Sequence, residues 1–142
     1  MKTSQWLSLI GLGLLAFVAP GSAAATPSAG IEVNTMVQST LNGKDFVTRE
    51  LTIAAGGTTG WHYHPGEVFG VIKQGTLTHY NSDCSIDGVY NAGDAISEGS
   101  GAGYVHEGRN EGPVPIVMWV LYIKHEGSPL AVDMPNPGCP FE

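Results

Sequence analysis

After residue 25, glycine, proline, asparagine or aspartate interrupts the chain about every ten residues, and this punctuation narrows the choice of fold more than any other feature. A core helix needs roughly 10–12 residues carrying an apolar stripe of period 3.6, and no long stripe of that kind follows the N-terminal segment. Short runs rich in β-branched and aromatic residues lie between the breaks instead. The pattern predicts an all-β chain, a sandwich or a barrel.

The runs can be placed along the chain. Val33 to Thr40 alternates loosely, and Asn42-Gly43 then marks a tight hairpin. Phe46 to Ile53 puts Val47, Leu51 and Ile53 on one face, with Arg49 among them. Trp61 to His64, Val68 to Lys73 and Thr76 to Tyr80 follow as further strands. Ile116 to Ile123 is the most apolar run and is expected to be central and buried on both faces. No repeat and no linker divides the chain, so one domain is expected over 31–127. Residues 26–30 read as a flexible leader, and 128–142 as an irregular, proline-rich tail.

The N-terminus has a different character. Lys2 precedes an uncharged apolar run, Leu7 to Ala19; Pro20-Gly21 breaks it and Ser22-Ala23-Ala24-Ala25 follows. That order is expected of a cleaved signal peptide over 1–25. The run is short of the ~20 apolar residues of a membrane span. The mature chain is then soluble and exported, periplasmic or extracellular, with no membrane contact. The net charge is −7, and no cluster of Lys and Arg occurs. Nucleic-acid binding is excluded on that ground, because phosphate requires a basic footprint. An oxidising compartment also predicts that the two cysteines, Cys84 and Cys139, form a disulfide that ties the tail to a loop.

The chemistry centres on residues 56–70, GGTTGWHYHPGEVFG. In a strand, residues i and i+2 share a face, so His62 and His64 project side by side. Two such imidazoles can hold one metal ion. His106, after the glycine-rich 99–103 and four residues before Asn110, is the candidate third ligand. His79 shares a face with Leu77 and reads as packing, and His125 as surface.

Gly56, His62-Tyr63-His64, Glu67 and Gly75 resemble the first motif of the cupins, and Gly93, Gly101, Gly103, His106 and Asn110 are similar to the second. The resemblance spans 56–110 and is closest to small exported single-domain cupins. It implies an all-β jelly-roll barrel of the single-domain cupin type with one divalent transition metal ion (Zn, Mn, Cu, Ni or Fe) at its mouth. It also implies that His62, His64 and His106 are ligands. Glu67 is either the fourth ligand or a catalytic base beside the metal, provided a turn at Pro65-Gly66 and a bulge near Gly70 turn it inward; otherwise it is a solvated loop carboxylate. Trp61, Phe69, Tyr104, Met118 and Trp119 are candidate pocket walls. The expected partner is a small-molecule substrate or ligand. Many cupins pair through their sheet edges, so a homodimer is one expected state. The family admits a metal-dependent dioxygenase, isomerase or lyase, a non-catalytic module that binds a small molecule or metal, and a structural dimer with a vestigial site.

Overall fold

The computed structural model describes residues 23–141. The expected signal peptide, 1–25, lies almost wholly outside them. Ten strands and no helix make up the described chain: β1 (Ala29–Leu41), β2 (Lys44–Thr58), β3 (His62–Tyr63), β4 (Glu67–Gln74), β5 (Thr76–Asn81), β6 (Ile86–Asn91), β7 (Ala95–Glu98), β8 (His106–Arg109), β9 (Ile116–His125) and β10 (Val132–Asp133).

The strands form two leaves of one rolled sheet. One leaf runs β1-β2-β9-β4-β7 and the other β10-β3-β8-β5-β6. They join where Thr58, at the end of the long β2, pairs with Arg109 of β8. Every ladder is antiparallel. This is the jelly-roll barrel that the turn spacing and the motifs predict.

Local chemistry accounts for the joints. Asn42 and Gly43 have φ of 52° and 73°, the left-handed pair that a two-residue hairpin needs, and Leu41 pairs with Lys44 across it. Gly60 has φ of +68°, and a Cβ there would meet the Thr26 carbonyl oxygen at 2.4 Å. Only glycine lets the chain pass at that point, two residues before His62 opens β3.

The core fills the space between the leaves. Val47, Ile53, Val68, Ile72, Leu77, Ile96, Ile116, Met118, Val120 and Tyr122 are buried together. β9 is central, between β2 and β4, as expected. It is buried on one face only: Ile116, Met118, Val120 and Tyr122 point in, while Trp119 is 43% exposed on the other side. An antiparallel leaf that rolls into a barrel has one face left for solvent, however apolar its sequence.

The two chain ends differ from expectation. The segment 26–30 is tied down: Thr26 is buried, its hydroxyl donates to the Met134 carbonyl at 3.0 Å, and the same oxygen accepts the Trp61 amide at 2.8 Å. The tail contributes β10, which pairs with β3, and Cys139 is bonded to Cys84. A second cluster of Trp61, Tyr80 and Cys139, with Phe141 against it, seals this end.

Candidate metal centre

The buried histidines gather on the inner side of the second leaf. His62 lies in β3, His64 just beyond it, and His106 opens β8 as the direct partner of His62. Their ring centroids are 4.4–5.2 Å apart. His106 is fully buried, and His62 and His64 nearly so.

Each ring hangs on a main-chain carbonyl. The Nδ1–H of His62 donates to Gly60 at 2.8 Å, that of His64 to Leu130 at 2.7 Å, and that of His106 to Tyr104 at 3.0 Å. These bonds fix the tautomer, because a neutral imidazole with its proton on Nδ1 carries a lone pair on Nε2. The three Nε2 atoms therefore converge as acceptors. Those of His62 and His64 are 3.0 Å apart with no proton between them. Burial first, and then the nearby His106 and His64, push the His62 pKa down to about 3, so this ring stays neutral.

A carboxylate completes the cluster, and it belongs to Glu98. Its Oε2 lies 3.0 Å from Nε2 of His64 and 3.6 Å from Nε2 of His106. Its Oε1 lies 3.6 Å from Nε2 of His79. Its carboxyl group is thus packed among the imidazoles of His64, His106 and His79. His79 donates its Nδ1–H to Asp87 at 3.0 Å, and Asp87 also accepts the Tyr104 hydroxyl at 3.1 Å. Two sets of ligand atoms result, His62–His64–His106 and His79–Glu98–His106, each within 4.8 Å. The Nε2 atoms of His79 and His106 have no hydrogen-bond partner among the described residues. Several lone pairs and an anion facing one another, shut off from water, suit a cation. Imidazole nitrogen with one carboxylate oxygen is a donor set for a divalent transition metal.

Glu67 is not part of this cluster. Val68, Gly70 and Ile72 of β4 face inward, so Glu67, Phe69 and Val71 face outward, and the Glu67 side chain is exposed. The irregularity in β4 falls between Ile72 and Gln74, not near Gly70, so nothing upstream reverses the alternation. In β7, Ile96 points into the core, so Glu98 two residues on does the same.

Of the aromatic residues expected to wall a pocket, only Tyr104 adjoins the cluster, with its ring 4.9 Å from that of His106. Trp61 is fully buried elsewhere, against Phe141. Phe69 and Trp119 lie on the outer face of the first leaf, where Trp119 donates to Glu50 and stacks under Lys73. Met118 does line the interior cavity, which measures about 180 Å³. Its other walls are mainly aliphatic, with Leu51, Val68, Ile96 and Val120 beside Tyr122, and its polar groups are His62, His64 and Glu98 together with Asp133, Thr59 and Ser28. The Tyr122 ring is 5.6 Å from that of His64, and burial pushes its hydroxyl pKa up, so the phenol stays protonated.

A rolled antiparallel barrel with inward histidines and one carboxylate defines a metal-capable jelly roll. A family model for the cupin domain matches residues 49–122, and the chain belongs to that family. No curated protein sequence matches it. Among solved structures, a recombinant oxalate oxidase in complex with glycolate superimposes with a TM-score of 0.58 at 22% identity; 72% of this chain aligns, but it spans only 54% of that one. The Cupin_2 domain of an XRE-family transcriptional regulator from Enterobacter cloacae aligns with a TM-score of 0.55 at 17% identity, covering 68% of this chain and 98% of that one. KdgF from Halomonas sp. aligns with a TM-score of 0.52 at 15% identity over 66% and 80% of the two chains. At these identities the likeness is one of fold.

Proposed function

We propose that this chain is an exported metal-dependent cupin that acts on a small organic molecule, with His62, His64, His106 and Glu98 as ligands of one divalent transition metal ion. One observation carries the reading: three imidazoles donate Nδ1–H to main-chain carbonyls, so three buried Nε2 atoms are turned on one point beside the Glu98 carboxyl group. Bound there, the ion would supply Lewis-acid polarisation of a substrate oxygen. His79, bonded through Nδ1 to Asp87, stands with its Nε2 3.6 Å from the other oxygen of Glu98. The aliphatic wall of the cavity receives the apolar part of the molecule and keeps water out. The Cys84–Cys139 disulfide supports residence in an oxidising compartment, periplasmic or extracellular.

Metal analysis of the purified mature protein is the test. One equivalent of a divalent transition metal is expected in the wild type and none in the double variant His62→Ala/His106→Ala. Stoichiometric metal in that variant would refute the ligand assignment. Product formation over a panel of enediols, phenols and keto acids then measures turnover, and retained activity in the metal-free variant would refute a metal-dependent reaction.

A further inference from the structure

One buried hydroxyl on the cavity wall has no partner. Tyr122 stands in a cross-strand row, Val47–Tyr122–Val68–Glu98, that crosses β2, β9, β4 and β7. Residues directly opposite one another share a face of the sheet, so the phenol lies on the inner face with Glu98. It is 8% exposed, lines the cavity, and sits with its ring 5.6 Å from that of His64. Its hydroxyl makes no hydrogen bond among the described residues, and its oxygen is not sealed off. Tyr80 and Tyr104 differ: they donate to Glu111 at 2.7 Å and to Asp87 at 3.1 Å. A buried phenol usually finds a partner, and one left without destabilises the fold that holds it. At Tyr122 the space for that partner is the cavity itself.

The other polar groups set the charge of what fits. Glu98 lies inside, and Asp133, the strand partner of His62 on β10, stands with Ser28 at the exposed rim. Among the described residues that line the cavity, none is Lys or Arg. The Thr59 hydroxyl is engaged, donating to the Gly60 carbonyl and accepting the Gly108 amide. An anionic occupant would meet two acidic side chains and no basic one. A divalent ion at the centre is balanced by the same two carboxyl groups, so an uncharged occupant suits the loaded cavity as well. The space, about 180 Å³, is that of roughly six waters, enough for one small ring or a short chain.

We infer that the cavity receives a small uncharged carbonyl compound, whose oxygen accepts a hydrogen bond from the Tyr122 hydroxyl beside the histidine–Glu98 cluster. A carbonyl oxygen has two lone pairs, so the one that meets Tyr122 leaves the other for the centre. That second contact rests on the metal-dependent reading; the hydrogen bond rests on Tyr122 alone.

The test measures binding by calorimetry, with cyclopentanone and the similarly sized anion butyrate as probes. The proteins are the wild type, Tyr122→Phe, Asp133→Asn, and the metal-free His62→Ala/His106→Ala variant with and without Tyr122→Phe. Wild type is expected to prefer cyclopentanone over butyrate, and Asp133→Asn to narrow that preference. Loss of one neutral hydrogen bond should weaken cyclopentanone about 3- to 10-fold in Tyr122→Phe, with metal content unchanged. The same loss is expected in the metal-free background, which separates Tyr122 from coordination. In both backgrounds the infrared carbonyl stretch of bound cyclopentanone should lie at lower frequency with Tyr122 than with Phe. Ligand-free Tyr122→Phe should melt no lower than the wild type, because the hydroxyl it loses has no partner in the fold. Equal cyclopentanone affinity with and without the hydroxyl, tighter binding of butyrate than of cyclopentanone by the wild type, or a lower melting temperature for Tyr122→Phe would each overturn the inference. Stoichiometric metal without cyclopentanone binding would overturn it and leave the metal reading standing. A wild type that takes up no metal yet shows Tyr122-dependent binding would do the reverse.

Discussion

Breaking the Cys84–Cys139 bond should cost this small barrel much of its stability. The two residues are 55 apart in sequence. Closing a loop of that size in the unfolded chain removes entropy corresponding to about 4 kcal/mol at 25 °C. Net stabilities of domains lie near 5–15 kcal/mol, so the bond represents a large share. For a domain of about 120 residues the unfolding entropy is roughly 250 cal/mol/K, and the melting temperature should fall by about 15 °C. The perturbation is the double variant Cys84→Ser/Cys139→Ser, and the assay is thermal and urea unfolding followed by tryptophan fluorescence. Trp61 packs in the cluster that contains Cys139 and reports that end directly. The effect should reach the centre as well. The tail supplies the Leu130 carbonyl that holds His64, and the Met134 amide donates to the Trp61 carbonyl, next to His62. Metal affinity should therefore fall with stability. A variant melting within about 3 °C of the wild type, with unchanged metal affinity, would refute both the loop-closure reasoning and the coupling of tail to centre.

Two further perturbations separate other parts of the account. Glu98→Gln should lower metal affinity by at least about 10- to 100-fold, the size of effect that outer partners alone produce, while Glu67→Gln should leave it unchanged; titration of both variants with zinc measures this, and the reverse order would show the β4 alternation to be misread. Asp45 is held at about pKa 2, from a usual 3.8, first by Lys124 and then by Thr40 and the Gly127 amide. A depressed carboxylate stabilises above its unfolded pKa and loses that contribution as pH falls through the folded one, so unfolding followed from pH 5 to 2 should show a decline that is shallower in Asp45→Asn.

Much of the barrel was legible because its signals are local. Asn42-Gly43 specifies its hairpin by φ alone, and the His62–His64 spacing specifies a shared face by strand period. Cys84 and Cys139 needed only a compartment and a count. Glu67 was misdirecting, because its closeness in sequence to the histidine pair competes with alternation set by Val68, Gly70 and Ile72, and burial of that apolar set decides register. Glu98 and His79 carried a usable signal. Each lies two residues from a core aliphatic, Ile96 and Leu77, and so had to face inward. What could not be read from one strand was that β7, β5 and β8 bring them to the same point, since that depends on pairings far apart in sequence. The aromatic residues failed as pocket markers for a related reason. Size and apolarity are shared by Trp61 in the tail cluster and by Trp119 on the outer face, and only the closed sheet distinguishes those positions.

The carbonyl supports of the three rings have an evolutionary consequence. Every amino acid brings a carbonyl, so the aim of His64 and His106 is insensitive to which side chain stands at 130 or 104, provided the main chain keeps its course. The walls of the cavity can then change without disturbing the direction in which the imidazoles point. Constraint passes to the course itself, which at Gly60 no other residue can follow.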